Sequence, residues 1–100
     1  MFSDQLFVPS KVKELKATVL PDGRWLLYHQ NQRSAFTLNA AAGILWELCD
    51  GQTPVDELIV HLKDFYPSTS PKRLAQETET MLTDFLERGL VVNNAAHTAS

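Results

Sequence analysis

Cys49 and the three histidines, His29, His61 and His97, are the side chains of this 100-residue chain best suited to nucleophilic or metal chemistry. Their spacing supports neither. A catalytic nucleophile works beside a base that a third group orients, and these four residues fall in four different predicted elements. A structural zinc site needs several ligands at short intervals, whereas His61 stands alone in a helical pattern and His97 lies near the end of the chain. Cys49 reads as a small buried thiol. The carboxylates Glu47, Asp56, Glu57, Asp64, Glu77, Glu79, Asp84 and Glu87 are scattered over helical stretches, as solvated faces are, rather than paired for acid–base work. Gly23, Gly43, Gly51 and Gly89 are isolated, so there is no glycine-rich loop to cradle a phosphate. The expectation is a chain with no catalytic residues, no metal site and no cofactor.

Binding is the alternative, and the composition suits it. A chain that is 44% hydrophobic and 21% charged makes one ordinary domain, too small for a deep walled active site. The net charge of −3 has the wrong sign for a protein that lives on phosphate backbones. Residues 1–38 carry five basic against three acidic side chains, and residues 39–100 four against nine, so the helical half is the acidic half. No apolar run reaches the roughly 20 residues that span a bilayer. With a single cysteine and no signal-peptide pattern at Met1–Asp4, the sequence reads as cytoplasmic.

The elements that must position a binding surface follow from the hydrophobic period. Residues 1–10 show none and read as a flexible N-terminal arm. Lys11 to Leu20 alternates imperfectly, as an edge strand does, and Pro21-Asp22-Gly23 turns the chain. Arg24 to His29 is apolar on both alternating sets, which predicts a central strand covered on both faces. Arg33 to Leu38 alternates and gives a third strand. At Asn39 the period changes to that of a helix, with asparagine as N-cap and Ala41, Ile44, Leu45 and Leu48 as the inner stripe. Thr53-Pro54 opens a second helix with threonine as cap and Leu58, Ile59, Leu62 and Phe65 inside. The third runs from Pro71 to Arg88, with Leu74, Thr78, Met81, Leu82 and Phe85 on one face, and Gly89 stops it. Leu90-Val91-Val92 could add a short strand. Residues 93–100 read as a disordered tail. The fold class is therefore α+β, a winged-helix-like domain over residues 11–92, with a three-stranded antiparallel meander followed by three helices.

Winged-helix shape raises DNA binding, but a recognition helix among phosphates should be basic, and the longest helix sets Lys72, Arg73 and Arg88 against Glu77, Glu79, Asp84 and Glu87. The sheet edges say more. The first strand carries Lys11, Lys13, Glu14 and Lys16, charges that discourage accidental pairing. The third, Ser34-Ala35-Phe36-Thr37-Leu38, has no charge after Arg33 and no proline, so a visiting extended chain could pair with it. On the residues alone, such a peptide stands level with a cover supplied by the N-terminal arm or by a second copy in a homodimer.

A resemblance separates them. Leu20-Pro21-Asp22-Gly23, Leu27-Tyr28, Phe36-Thr37-Leu38-Asn39, Ala41-Ala42, Leu48-Cys49-Asp50-Gly51 and Phe85-Leu86-Glu87-Arg88-Gly89-Leu90-Val91 are similar to the PqqD family over about residues 11–92. These are small peptide chaperones of pyrroloquinoline quinone (PQQ) and related biosynthesis, also called RiPP recognition elements. The resemblance implies a non-catalytic protein that binds the leader of a ribosomally made precursor peptide and presents it to a modifying enzyme, such as a radical SAM maturase. It also implies that the leader lies antiparallel to the third strand, between it and the third helix. Carried over, the peptide-binding residues are Arg33, Ser34, Ala35, Phe36, Thr37 and Leu38 on the strand, with Leu74, Thr78, Met81, Leu82 and Phe85 on the helix. Thr78 stands where an apolar residue is commoner in the family, and Leu82 and Phe85 are equally well placed to be core.

Overall fold

Alternating and helical patterns divide the chain near its middle, and the computed structural model, which describes residues 7–94, divides it there too. Strands β1 (Pro9–Lys11), β2 (Leu15–Val19), β3 (Trp25–His29) and β4 (Ser34–Leu38) precede helices α1 (Ala40–Leu48), α2 (Val55–Phe65) and α3 (Pro71–Arg88), and β5 (Val91–Asn93) closes the chain. β2, β3 and β4 form the expected antiparallel meander, while β1 and β5 pair with each other.

The expected first strand is broken in two. Leu15 N donates to the Val12 carbonyl at 3.2 Å, a tight turn that lets Lys11 pair with Val91 while Leu15 pairs with His29. Residues 7–10 are not a loose arm. Phe7, Val8 and Pro9 are buried, and the carbonyls of Phe7, Val8 and Pro9 accept from Val55, Asn94 and Gly51. Three apolar residues in a row have too little length to show a period, but they have enough surface to drive burial. Residues 1–6 of the expected arm and 95–100 of the expected tail, His97 among them, lie outside the described residues.

Helix α1 starts where Asn39 accepts from Ala42 N at 2.8 Å. Its buried face is Ala42, Gly43, Leu45 and Trp46, one step round from the expected stripe, with Ala41, Ile44 and Leu48 half-buried. A helix this short of polar residues gives periodicity nothing to fix its rotation. Gly43 settles it: a Cβ there would collide with the Trp25 indole, so only glycine lets α1 lie flat against β3. In α2 the cap is Pro54, with no side-chain bond, because Thr53 is held by Asp50 instead: its N–H and hydroxyl both donate to that carboxylate. Val55, Leu58 and Leu62 face inward, Ile59 is half-buried, and Phe65 is 54% exposed rather than inside. Helix α3 matches its expected limits, with Ser70 accepting from Arg73 N and Gly89 in the left-handed conformation at φ 74°. The core lies between the helices and one face of the meander, around Leu27, Leu45, Leu58, Leu82 and Phe85. The other face of β3 is open, with Leu26 half-buried and Tyr28 exposed, so that strand is covered on one side only.

Candidate functional site

Which backbone groups of β4 are free follows from hydrogen-bond alternation. Gln30 N donates to the Glu14 carbonyl and Leu20 N to the Arg24 carbonyl, so even-numbered residues of β3 bond toward β2. Odd ones, Trp25, Leu27 and His29, therefore bond toward β4, where their partners are Leu38, Phe36 and Ser34. That leaves Ala35 and Thr37 directing N–H and C=O away from the sheet. β4 is an edge strand, and among the described residues nothing pairs with its outer side. Availability is thus narrower than the uncharged run suggests: within the strand, two residues offer four backbone groups.

The side chains alternate in the opposite sense. Ala35 and Thr37 are exposed on the open face of the sheet, while Phe36 is half-buried and Leu38 buried on the helix side. Beside them the edge falls into a groove whose far wall is α3. Its deeper part, about 330 Å³, is lined by Thr37, Leu38, Ala42, Met81, Phe85 and Arg88, among others. An adjoining depression of about 420 Å³ is lined by Asn39, Ala41, Gln76, Glu77, Thr80 and Met81. Asn39, Thr80 and Met81 border both, so the two form one trough running from the start of α1 toward the end of α3. The walls are electrically quiet. Arg73 pairs with Glu77 at 2.9 Å and Arg88 with Asp84 at 3.0 Å, each one helical turn apart. Arg33, at the start of β4 with φ 53°, is exposed and in no ion pair among the described residues.

Of the helix residues expected to touch a peptide, Met81 sits in the trough, half-buried, and Phe85 forms part of its floor. Leu74, Thr78 and Leu82 fill the core, at 4%, 0% and 0% exposure, and line no part of the trough. Thr78 tolerates its burial because its hydroxyl donates to the Leu74 carbonyl at 2.7 Å. Relative to the expected face, the lining is turned by about one residue on α3. The apolar stripe marks the buried seam, and the trough lies along the flanking row Glu77, Met81, Asp84 and Arg88, with Thr80 beside it, a row whose spacings of four, three and four are visible in the sequence. Asn39, Ala41 and Ala42 line the trough too, without a motif that marks them. Their signal is small size at the helix start, which leaves the trough room.

Cys49 and His61 line no part of the trough, and His29 is the cross-strand neighbour of Ser34. Cys49 is fully buried, its thiol donates to the Leu45 carbonyl at 3.2 Å, and burial pushes it up from its ordinary value of 9.0 to about 12. No helix among the described residues is long and apolar enough to cross a membrane.

A three-stranded meander, three helices and an open edge above an apolar trough define a small α+β domain of winged-helix shape. The family described as "Coenzyme PQQ synthesis protein D (PqqD)" matches residues 24–91, and the chain belongs to that family. Its fold is also similar to that of a solved structure, TbiB1 in complex with the TbiA(beta) leader peptide. The likeness covers 82% of this chain and 93% of that one, with a TM-score of 0.70 at 16% sequence identity. No curated protein matches the chain.

Proposed function

We propose that this protein is a peptide chaperone that binds the leader of a ribosomally made precursor by strand addition at β4 and presents it to a modifying enzyme, such as a radical SAM maturase, in PQQ or related biosynthesis. The observation that carries this reading is the coincidence of two features at one place. Ala35 and Thr37 hold four backbone groups outward, and the trough under Met81 and Phe85 lies beside them. Main-chain bonds supply affinity and the trough supplies side-chain selection, the division of labour by which sheet edges recognise peptides. Membership of the PqqD family supports it, as does the fold shared with a protein solved on its leader peptide.

The site would hold Arg33 to Leu38 and Met81, with Phe85 beneath. Leu74, Thr78 and Leu82 would act only by shaping the core under it. The reading predicts a short precursor gene and a modifying enzyme beside the gene for this chain, and binding of that precursor's leader in solution by titration calorimetry. A leader that fails to bind, or that binds equally well after Ala35→Pro in a folded variant, contradicts it.

A further inference from the structure

The register of β4 also constrains what the bound strand must look like, if the reading above holds. All pairings in the β2–β3–β4 sheet are antiparallel, and Ala35 and Thr37 each present both N–H and C=O, the arrangement that exchanges two bonds with one residue of an antiparallel partner. Let position 1 of such a strand lie opposite Leu38. Positions 2 and 4 then face Thr37 and Ala35, exchange the backbone bonds and point to the open side of the sheet. Positions 1 and 3, opposite Leu38 and Phe36, point to the helix side, position 1 beside the trough lining at Leu38 and position 3 over the half-buried Phe36. Position 5 falls opposite Ser34, where the strand ends, and position 6 passes the turn at Arg33.

The wall charges are paired at both ends of the trough, and the asymmetry lies past its far end. At the end reached first, Glu77 is the nearest carboxylate and Arg73 neutralises it. At the end reached last, Arg88 is neutralised by Asp84; beyond the lining, at the residue before β4, Arg33 adds a cation with no ion partner among the described residues. We propose that the site selects a strand with two apolar residues separated by one, followed within two or three residues by a carboxylate, so that the sequence apolar-x-apolar-x-acid enters in one direction only. The spacing comes from the pleat and the direction from Arg33.

Three synthetic ten-residue peptides on a Ser/Thr background test this by fluorescence anisotropy at low salt, with NMR titration to millimolar concentration. The first contains Leu-Thr-Leu-Thr-Glu-Glu; the second moves the leucines one residue further apart; the third places Glu-Glu before the leucines. The first should bind about tenfold more tightly than the second and about threefold more tightly than the third. Arg33→Glu should remove the preference over the third, and a Lys-Lys version of the first should regain it. Equal affinities for the first and second peptides, or no binding of any at millimolar concentration, overturn the spacing. A charge preference unmoved by Arg33→Glu overturns the direction. The same peptides measured on Ala35→Pro separate this inference from the reading it rests on: equal affinities that all vanish in the proline variant sink only the code, whereas binding that survives it sinks strand addition itself.

Discussion

The two margins of the β2–β3–β4 sheet have the same backbone and different surroundings. β2 frees Ala17 and Val19 along its outer side, as β4 frees Ala35 and Thr37, because each pairs with β3 through the alternate residues. Beyond Leu15, however, β2 is exposed on both faces, and Lys13, Glu14 and Lys16 crowd its start. β4 is uncharged after Arg33 and drops directly into a trough walled by α3. Unpaired backbone alone is a hazard that charges blunt; unpaired backbone beside an apolar floor is a binding site. The difference arises from chain order. β4 runs without a loop into α1 through Asn39, which ties this edge to the helical layer and leaves β2 hanging outside it.

Proline substitutions break the comparison most sharply. Phe36→Pro removes an N–H that bonds to β3, and it should cost about 3 kcal/mol of stability, read by chemical denaturation. An unaltered midpoint would mean that the alternation is assigned the wrong way round. Ala35→Pro removes an outward N–H and should leave the unfolding midpoint nearly unchanged while weakening leader binding tenfold or more, about 1.4 kcal/mol. Ala17→Pro, its counterpart on β2, should leave both untouched. Equal losses from the two alanine positions would erase the distinction between the margins.

Smaller effects probe the floor and the framework. Met81→Glu should weaken leader binding about tenfold, since it sets a carboxylate in the trough, with little change in stability because Met81 is only half-buried. Gly43→Ala should cost about 1–3 kcal/mol by displacing Trp25, whose neighbours across the sheet are Val19 and Leu38, one from each outer strand. Thermal melts would show it, and a neutral result would mean that α1 does not lie flat on β3. Cys49 provides a control outside the β4 trough. Its thiol titrates near 12 when folded against 9.0 when unfolded, so the unfolded chain loses its proton first. Its contribution is complete below pH 9 and declines as pH rises toward 12, by up to about 1.4 kcal/mol per unit. Cys49→Ser should flatten that alkaline decline, and a wild-type curve already flat there would contradict the burial.

The sequence carried element type and order well, because alternation at Phe36 and Leu38 and the helical spacing of Leu74, Leu82 and Phe85 are strong signals over long stretches. It carried rotation poorly. On α1 an almost wholly apolar composition concealed which side is inner, and only the Trp25–Gly43 contact decides it. On α3 the most apolar row is buried, with Thr78 and Leu82 at 0% exposure, and the trough lining runs beside it. A groove is lined by residues of middling polarity that flank a core stripe, and that flanking row becomes meaningful only once the edge strand beside it is known. The β1–β5 pair escaped because its long-range partners, such as Lys11 and Val91, are short runs with no period of their own.

Amide hydrogen exchange followed by NMR, with and without saturating leader peptide, reads the central claim at single-residue resolution. The amides of Ala35 and Thr37 should exchange freely alone and become strongly protected in the complex, while those of Ala17 and Val19 stay fast in both. Protection that appears at Ala17 and Val19 instead, or at neither pair while the leader is bound, would contradict strand addition at β4.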